Sequence, residues 1–577
     1  MIEVWAPDAA RVDIDFGAPG ESPTRAPMVR DDRGWWRWDG DHTAYASVNG
    51  GAFDYAFSVD GAEPALPDPR SAWQPHGVDG PSRLFDTGAH EWADREWRGP
   101  RGGSGTLGAV IYECHIGTFT EQGTFEAAIE RLDHLVDLGV DVVEILPVAA
   151  IPGRWGWGYD GVDLYAVHDA LGGPAAFQRF VDACHARGLG VCLDVVYNHL
   201  GPSGNYLGRF GPYFTQTHLT PWGPAVNLDA PGSHEVRAFI IENALRWLRD
   251  FHVDALRLDA VHALVDESDR HLLAELSEAV ADLSRTLGRP LDLIAESDLN
   301  DTAMVTPVAE GGLGMTAQWA DDVHHGLHVA LTGETQGYYE DFGGGTRCLP
   351  DGGPLDVLAH VLTRGFLHDG RWSTFRDREW GQPVDVDALD GRRLVTYLQT
   401  HDQVGNRATG DRIGASITPG RAAIGAALYL LGPGTPMIFM GEEFAASTPW
   451  QFFTDFTDES MAEAVRAGRR AEFGGHGWAG DDIPDPQSRA TRDASVLRWE
   501  ELSSQPHASL HDWYRRLITL RRNVIGTTET RFADVTCTVD TTAATFVMTH
   551  RGMTVSADLG GDTVTVSAPG IPALAFP

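Results

Sequence analysis

Residues 255–262 read ALRLDAVH, an apolar run that carries Arg257 and Asp259 two positions apart and ends in His262. A short apolar run of this kind predicts a buried strand. The stretch before it predicts an amphipathic helix, because its apolar residues recur at helical spacing: Val236, Phe239, Ile240, Ala244, Trp247, Leu248 and Phe251. A helix that leads directly into a buried strand is the repeating unit of parallel sheets covered by helices. The stretch therefore predicts an α/β fold.

The same alternation of helices and buried strands recurs along most of the chain. Thr124 is an N-cap residue before a helix that Gly139 would end, and Pro174 and Gly188 bracket another helix. The apolar runs predict eight strands, at residues 109–119, 140–148, 190–199, 255–261, 291–297, 315–320, 394–402 and 435–442. Eight parallel strands with intervening helices predict a closed (β/α)8 barrel, the TIM barrel.

The sequence changes character on both sides of the predicted barrel, which we assign to residues 96–525. Residues 1–95 contain short alternating runs between Gly, Pro and Asp clusters, and these predict an N-terminal β-sandwich like a carbohydrate-binding module. Residues 526–577 return to Thr- and Val-rich runs and predict a small C-terminal all-β domain. The segment 94–106, rich in Gly and Arg, is predicted to link the sandwich to the barrel.

Three closely spaced tryptophans, Trp35, Trp36 and Trp38, fall within the predicted sandwich. Tryptophans in such a position often pack a sandwich core. Their rings also stack on sugars, because a large apolar face suits a pyranose. Both interpretations stay open from the sequence.

The strongly negative net charge of the chain makes some classes of binding partner unfavourable. With 44 basic and 82 acidic residues among 577, the formal net charge is −38, which disfavours binding to phosphate backbones and anionic lipid surfaces. All 44 basic residues are arginines, so the chain offers neither a P-loop lysine nor a lysine Schiff base. We therefore expect neither nucleic acid nor a membrane as a partner, and a neutral or cationic substrate.

Cysteine usage and the N-terminal residues predict a cytoplasmic protein. The five cysteines include no CxxC pair, which favours neither a disulfide framework nor a zinc cluster. The first residues alternate apolar and polar types and lack the basic and apolar segments of a signal peptide. The uncharged run 422–440 is interrupted by Gly and Pro at 432–436, which favours a buried helix followed by a buried strand over a membrane helix.

Polar side chains end four of the predicted strands. They are Asp194, Asn198 and His199 on the third strand, Arg257, Asp259 and His262 on the fourth, Glu296 on the fifth, and His401 and Asp402 on the seventh. Active sites of such barrels lie at the carboxyl ends of the strands. Burying ionisable groups in apolar runs is costly unless they are paired or functional. The four strand ends therefore predict one convergent site.

Three carboxylates at such a site suit glycoside hydrolysis with retention, which needs a nucleophile, a proton donor and a further anion near the transition state. Arg257 and Asp259 lie two residues apart, so both side chains would face the same side of the strand, and the cation would keep Asp259 ionised as a nucleophile requires. Glu296 has no cation in its own strand, and nearby anions would raise its pKa, as a general acid requires.

Simpler interpretations of the same residues stay open. An arginine and an aspartate two positions apart often form a plain salt bridge. Asp194 is explained as well by positioning Arg257 as by touching substrate. The histidines His199, His262 and His401, taken singly, are explained by ordinary hydrogen bonding. The coincidence of polar residues at four strand ends favours catalysis.

Four short runs carry a resemblance to a known family. DVVYNH (194–199), ALRLDAVH (255–262), LIAESD (293–298) and THDQVGN (400–406) resemble, in order and position, the conserved regions of the α-amylase superfamily, glycoside hydrolase family 13. The resemblance implies that Asp259 is the nucleophile, Glu296 the acid/base and Asp402 the stabiliser of the transition state. It also implies contacts to the sugar that is cleaved, from Arg257, His199, His401 and the ring of Tyr159.

The chain departs from many α-amylases just after the nucleophile. They carry a lysine and then a histidine where this chain has His262 and Ala263, so binding on the leaving-group side is expected to differ, and we include His262 among the substrate contacts. The Asn198 position helps to hold calcium in many amylases, but no second acidic loop clearly completes such a site. We therefore expect no required metal and no cofactor.

Three longer stretches, 157–174, 194–215 and 247–264, narrow the resemblance to one branch of the superfamily, which acts on maltooligosyltrehalose. The resemblance then implies hydrolysis, with retention, of the α-1,4 bond next to the terminal trehalose, downstream of a maltooligosyltrehalose synthase. We expect contacts on the trehalose side from Trp222, from the run WADDVHH (319–325), in particular Trp319, Asp322 and His325, and from Tyr338 and Tyr339.

Three other functions stay open at this point. A glycogen-branching or debranching enzyme of the same superfamily shares the β module, the barrel and the acids. A metal-dependent barrel hydrolase is suggested by the 23 histidines, but its usual HxH on the first strand is replaced here by Glu113, Cys114 and His115. A non-catalytic carbohydrate-binding protein is disfavoured because all three carboxylates are present.

Overall fold

The computed structural model describes residues 2–20, 22–42, 52–474 and 483–576, and its centre is a closed barrel of eight parallel strands. The strands are β1 (Ile111–Cys114), β2 (Val142–Ile145), β3 (Gly190–Val195), β4 (Ala255–Leu258), β5 (Asp292–Ala295), β6 (Ala317–Trp319), β7 (Leu394–Tyr397) and β8 (Thr435–Phe439). Each strand pairs with the next along the chain, and β8 pairs with β1. The predicted (β/α)8 barrel is confirmed.

The helices around the barrel follow the predicted start and stop signals. Thr124 caps its helix by accepting a hydrogen bond from the backbone of Ala127, and Gly139 ends the segment with φ of 99°. That segment, predicted as one helix, is two short helices separated at residues 130–131. The principal helices are Phe125–Ile129, Leu132–Leu138, Gly173–His185, Ser233–Asp250, Leu272–Leu287, Asp321–Thr332, Pro354–Arg364, Pro419–Leu430 and His507–Val524.

Every barrel strand is shorter than the apolar run that predicted it. The residues after β1 turn into the short helix Ile116–Phe119, and those after β7 lead into the short helix His401–Gly405. Asp259 and Glu296 likewise follow the last residue of β4 and of β5. The predicted site residues therefore lie mostly on the turns that leave the barrel, where the ladder of strand hydrogen bonds has ended.

The barrel lumen is filled in layers. The lower layer is apolar and includes Ile111, Val142, Cys192, Ala255, Ile294, Ala317 and Val395. Side chains alternate along a strand, so the residue two positions further on also faces the lumen. Those residues form an upper layer that is mainly polar: Glu113, Glu144, Asp194, Arg257, Glu296, Trp319 and Tyr397. This upper layer lies directly below the carboxyl ends of the strands.

The N-terminal residues form two small antiparallel sheets. One contains Ile2–Trp5, Val29–Arg30 and Trp35–Trp38, and the other Val12–Gly17, Thr24–Pro27, Asp54–Val59 and Ser82–Arg83. Trp35 and Trp36 are buried, and the indole N–H of Trp36 donates to the carbonyl of Ala6 at 3.0 Å. The ring of Trp38 packs 4.7 Å from that of Phe16. Core packing is thus the interpretation of these tryptophans that the structure supports.

The C-terminal residues form a five-stranded antiparallel sheet of consecutive strands, Val535–Asp540, Thr545–His550, Met553–Asp558, Thr563–Ala568 and Ile571–Ala575. It packs on two barrel helices, Pro354–Arg364 and Pro419–Leu430. Arg421 of the second helix contacts Asp562 at 2.8 Å. The domain boundaries at residues 95 and 525 stay predictions.

Two further segments resolve questions that the sequence raised. Trp97, in the predicted linker, stacks on His185 at 4.4 Å and donates its indole N–H to Asp254 at 2.8 Å, so the linker packs against the barrel. The run 422–440 is the helix Pro419–Leu430 followed by β8, as predicted. Within the described ranges, every helix is too short or too polar to span a bilayer.

Candidate active site

One buried guanidinium organises the mouth of the barrel. Nη1 of Arg257 donates to both oxygens of Asp194, at 2.8 and 3.0 Å, and to Oδ1 of Asp259 at 3.0 Å, while Nη2 donates to Oε2 of Glu296 at 2.8 Å. The ring of Trp319 lies 4.2 Å from the guanidinium carbon, a cation–π contact. Asp194 and Arg257 are direct partners in the β3–β4 register. Arg257 therefore faces the same side as Asp259, as predicted, and Asp194 positions it.

Asp259 is held through both carboxylate oxygens. Arg257 contacts Oδ1, and the Nδ2 of Asn198 donates to Oδ2 at 2.8 Å and to the backbone carbonyl of Asp259 at 2.7 Å. The Oδ1 of Asn198 in turn contacts Nδ1 of His199. Asn198, one of the polar residues predicted at the strand ends, occupies a position that helps to hold calcium in many amylases. Its amide is instead engaged with Asp259 and His199, which fixes the orientation of the carboxylate.

The pKa of the buried Glu296 carboxyl group is raised, in the direction that the sequence predicted. Burial raises the pKa of Glu296 well above its ordinary value, and the negative charges of Asp259 and Asp402 raise it further. Arg257, from the neighbouring strand, opposes that rise, and so does a backbone hydrogen bond from Ala260 to Oε2 at 2.8 Å. The group thus combines a raised pKa with fixed geometry, which is what a proton donor needs.

Asp402 joins the other two carboxylates from the far side of the mouth. It lies in the first turn of the short helix His401–Gly405, which Thr400 caps by accepting the N–H of Asp402 at 3.2 Å. Asn406 donates to its Oδ1 at 2.7 Å. Its charge acts on Glu296, so Asp259, Glu296 and Asp402 form one electrostatic group, as the sequence predicted.

Three predicted sugar contacts line the same mouth. The ring of Tyr159 stacks on that of His401 at 5.1 Å, and its hydroxyl donates to Asp194 at 2.6 Å. Nε2 of His199 lies 3.1 Å from the carbonyl of Tyr159, and the His199 ring stacks on Trp222 at 4.4 Å. Trp222 is half exposed, so it extends the mouth toward solvent.

Three of the other predicted contacts, Asp322, His325 and Tyr338, line a cleft of about 200 Å³ that Asp402 also lines. Asp322 is buried in its wall and accepts hydrogen bonds from the backbone of Leu367 at 2.7 Å and of His368 at 2.9 Å. Burial would raise the pKa of Asp322, but His368 outweighs it and lowers that pKa to about 2. The structure therefore gives Asp322 a role in holding the wall.

The predicted aromatic and imidazole contacts differ in their access to this cleft. His325 and Tyr338 line it, and Tyr338 is 37% exposed, whereas Tyr339 is buried and contacts His324 at 3.0 Å. Trp319 is buried below Arg257, where it supports the guanidinium. His262 stands at the edge of the cleft, with Nδ1 3.7 Å from Oδ1 of Asp298.

Two groups in the described ranges bring three ligand atoms of the type that binds metal ions within 4.8 Å of one another: Asp341, Cys348 and His368, and His218, Asp229 and Glu267. Asp341 already accepts hydrogen bonds from His368 at 3.0 Å and from the hydroxyl and backbone of Thr374 at 2.6 and 2.7 Å. Asp229 accepts from His218 and from the backbone of Glu267, both at 2.9 Å. Both groups are explained by these internal hydrogen bonds, and Asp259, Glu296 and Asp402 belong to neither.

Known proteins similar in sequence to this chain belong to the α-amylase superfamily, as the barrel and the acids at its mouth would suggest. The alpha-amylase catalytic domain family matches residues 81–210. A malto-oligosyltrehalose trehalohydrolase from Arthrobacter ramosus is 53% identical over 525 residues, which cover 90% of this chain and 87% of that protein. The enzyme of the same name from Mycobacterium tuberculosis is 48% identical and covers 99% of this chain and 95% of its own length.

More distant proteins share the fold. A crystal structure of a Salmonella typhimurium protein described as an alpha amylase superposes with a TM-score of 0.85 at 36% identity, covering 99% of this chain and 93% of that one. A 1,4-alpha-glucan branching enzyme from Corynebacterium jeikeium is only 29% identical over 70% of this chain and 63% of its own length. Identity over nearly the whole chain thus favours one branch of the superfamily. The chain belongs to the malto-oligosyltrehalose trehalohydrolase family of the α-amylase superfamily.

Proposed function

We propose that the protein hydrolyses, with retention, the α-1,4-glucosidic bond next to the terminal trehalose of maltooligosyltrehalose and releases trehalose. The observation that carries the proposal is the pairing of Asp259 and Glu296 on one guanidinium, with Asp402 beside them, in a chain 53% identical to a trehalohydrolase. Two carboxyl groups in different environments are what a retaining glycosidase uses.

In the first step, Glu296 donates its proton to the glycosidic oxygen as the bond to the sugar breaks, and trehalose leaves as the neutral alcohol. An oxygen of Asp259 attacks the anomeric carbon and forms a glycosyl ester. Asn198 and Arg257 hold Asp259 in one orientation, so little rotational freedom remains to be lost in the transition state. The charge of Asp402 stabilises the positive charge that develops on the ring.

In the second step, the Glu296 carboxylate takes a proton from water, and the water oxygen attacks the anomeric carbon and displaces the carboxylate of Asp259. The maltooligosaccharide leaves with its original configuration, and both carboxyl groups return to their starting states. Retention requires the two carboxyl groups to lie about 5 to 5.5 Å apart. Their shared contact with Arg257 supports that expectation.

We assign the trehalose unit to the cleft next to Asp402. Its rim combines an aromatic face at Tyr338 with an ion pair between Arg376 and Asp298 at 2.9 Å. Phe375, 61% exposed, adds a second ring. Aromatic faces suit the apolar face of a pyranose, and charged groups suit its hydroxyls. His262, in place of the lysine common in α-amylases, leaves this side open to an α,α-1,1-linked disaccharide.

The decisive experiment is product analysis with maltooligosyltrehalose and glycogen as separate substrates. We expect rapid release of free trehalose and little change in the branching of glycogen. Retention is checked by nuclear magnetic resonance, which should show the new reducing end first as the α-anomer. Glycogen branching without trehalose release would instead establish the transferase, and loss of activity with a chelator would establish the metal-dependent alternative.

The pH dependence of kcat/KM gives a second test. Glu296 must carry its proton in the first step, and burial raises its pKa, so activity should persist above the ordinary pKa of glutamate and fall as pH rises through the raised value. The fluoride of α-maltosyl fluoride leaves without needing a proton. With this substrate the fall in kcat/KM should occur at higher pH. Identical profiles for the two substrates would contradict the assignment of Glu296.

The proposed reaction requires a supply of maltooligosaccharides whose reducing end has been converted to trehalose. We therefore place the protein downstream of a maltooligosyltrehalose synthase. We also propose a cytoplasmic location, which the five unpaired cysteines support, because a reducing compartment keeps thiols free.

A further inference from the structure

Glu113 is a buried carboxylate of β1 that the proposed reaction does not use. Its side chain is 1% exposed, and it belongs to the same lumen layer as Arg257. Both of its oxygens accept hydrogen bonds from one residue. The Nδ1–H of His401 donates to Oε1 at 2.5 Å, and the backbone N–H of His401 donates to Oε2 at 3.0 Å. Glu113 thus fixes both the ring and the backbone of His401.

The ring of His401 is enclosed on its faces and edges by aromatic side chains. Tyr159 stacks on it at 5.1 Å, and Trp157 and Trp319 approach it at 5.8 and 6.2 Å. Because Nδ1 is occupied by Glu113, Nε2 is the nitrogen that remains for a sugar hydroxyl. Which ring nitrogen faces substrate is therefore set by Glu113.

The backbone hydrogen bond extends the influence of Glu113 to Asp402. The first N–H groups of a helix find no acceptor inside it. In the helix His401–Gly405, Glu113 accepts the N–H of His401, and Thr400 accepts the N–H of Asp402. The start of this helix, and with it the position of the Asp402 carboxylate, depends on a side chain 288 positions earlier in the sequence.

Charged groups from several elements determine the state of His401. Burial disfavours its imidazolium, but the carboxylates of Glu113 and Asp402 outweigh burial and raise the pKa of His401. The titratable groups that face it are Glu113 on β1, His115 after β1, Tyr159 after β2, Asp194 on β3, Arg257 on β4 and Asp402 on its own helix. Arg257 and His115 are the two basic groups, and Arg257 opposes a second positive charge.

We infer that Glu113 is a positioning residue of the reaction: its two hydrogen bonds hold His401 so that Nε2 faces the sugar being cleaved, and they anchor the helix that carries Asp402. The inference rests on the proposed function. Strand β1 thus contributes to catalysis across the barrel lumen, because the contacts between Glu113 and His401 form only when the closed barrel places β1 near the end of β7.

The test is Glu113→Gln, with Glu144→Gln as the matched control. Glu144 is the direct partner of Glu113 in the β1–β2 register and is equally buried, but its hydrogen bonding involves Cys192 rather than His401. We expect Glu113→Gln to lower kcat by about 10- to 100-fold with a much smaller change in KM, by analogy with the loss when the hydrogen-bond partner of a metal-bound histidine is removed. Glu144→Gln should leave kcat unchanged.

The pH profile separates positioning from a merely structural role. It is measured with α-maltosyl fluoride, whose first step does not need the proton of Glu296. Without the charge of Glu113, burial and Arg257 would dominate, so His401 should lose its proton at lower pH. The fall in kcat/KM at high pH should therefore shift to lower pH in Glu113→Gln and stay in place in Glu144→Gln.

A double-variant cycle completes the test. In a His401→Asn background, Glu113→Gln should cost less than in the wild-type protein, because the ring contact with Glu113 is gone and only the backbone contact remains. An equal loss in both backgrounds, or an unshifted pH profile in Glu113→Gln, would overturn the inference, even if the melting temperature fell. Failure of the wild-type protein to release trehalose would instead overturn the proposed function, and hydrolysis of the fluoride would still report on Glu113.

Discussion

Asp259→Asn is expected to lower kcat on maltooligosyltrehalose by at least about 10⁴-fold, the scale on which removing a nucleophile acts in other hydrolases. The amide cannot form the glycosyl ester. In the wild-type protein the Nδ2 of Asn198 donates to Oδ2 of Asp259, so an amide NH2 at that position would place two hydrogen-bond donors against each other. Loss of the negative charge also removes one of the causes that raise the pKa of Glu296. Steady-state release of trehalose measures the effect.

Two controls accompany this variant. Asp269→Asn changes an exposed aspartate of the following loop and should keep full activity. Substrate binding to Asp259→Asn, measured by calorimetry, should persist, since the aromatic and polar lining of the mouth is unchanged. Turnover within tenfold of the wild-type value would mean that Asp259 is not the nucleophile.

Glu296→Gln is expected to lower kcat on maltooligosyltrehalose by about 10²- to 10⁴-fold, the usual contribution of a positioned acid. The loss should depend on the leaving group, because glutamine cannot protonate the glycosidic oxygen. With α-maltosyl fluoride, the first step should remain fast while the second step, which needs a base for water, becomes slow. A maltosyl ester should therefore accumulate on the enzyme, and mass spectrometry should locate it on the peptide that contains Asp259.

The exposed Glu310 provides the matched control, and Glu310→Gln should behave as the wild-type protein does with both substrates. The same factor of loss in kcat/KM, which reports the first step, for the trehalose-ended substrate and for the fluoride would show that Glu296 is not the proton donor. An ester found on another peptide would move the nucleophile away from Asp259 while leaving the role of Glu296 intact.

The eight strands and the acids at their ends were predictable because both depend on local spacing. Apolar runs flanked by helix signals locate each strand to within a few residues, and alternation at period two predicts that Arg257 and Asp259 face the same side. The ends of the strands were overestimated, since the predicted runs 109–119 and 394–402 extend beyond Cys114 and Tyr397, where the strands end. The apolar pattern of the sequence indicates which residues are buried, whereas the last hydrogen-bonded residue of a strand depends on how far the neighbouring strand extends.

Contacts across the lumen were not predictable in this way. The sequence marks Glu113 and Glu144 alike, as single acids in apolar strands, and only one of them meets His401. Trp319 was expected to contact substrate, but as the last residue of β6 it is buried against the guanidinium of Arg257. The only sequence signal that Glu113 has a function was its place as an acid in an otherwise apolar barrel strand, where a buried charge needs a partner.

By itself, the sequence determined the α/β barrel, the family and the three carboxylates, because hydrophobic period and short motifs act over a few residues. Only the tertiary structure decided which groups share a proton or a charge: Arg257 with three carboxylates, Asn198 with Asp259, and Glu113 with a histidine 288 positions away. Closing the barrel brings these side chains within hydrogen-bonding distance, and both Coulomb energies and desolvation depend on that distance in space.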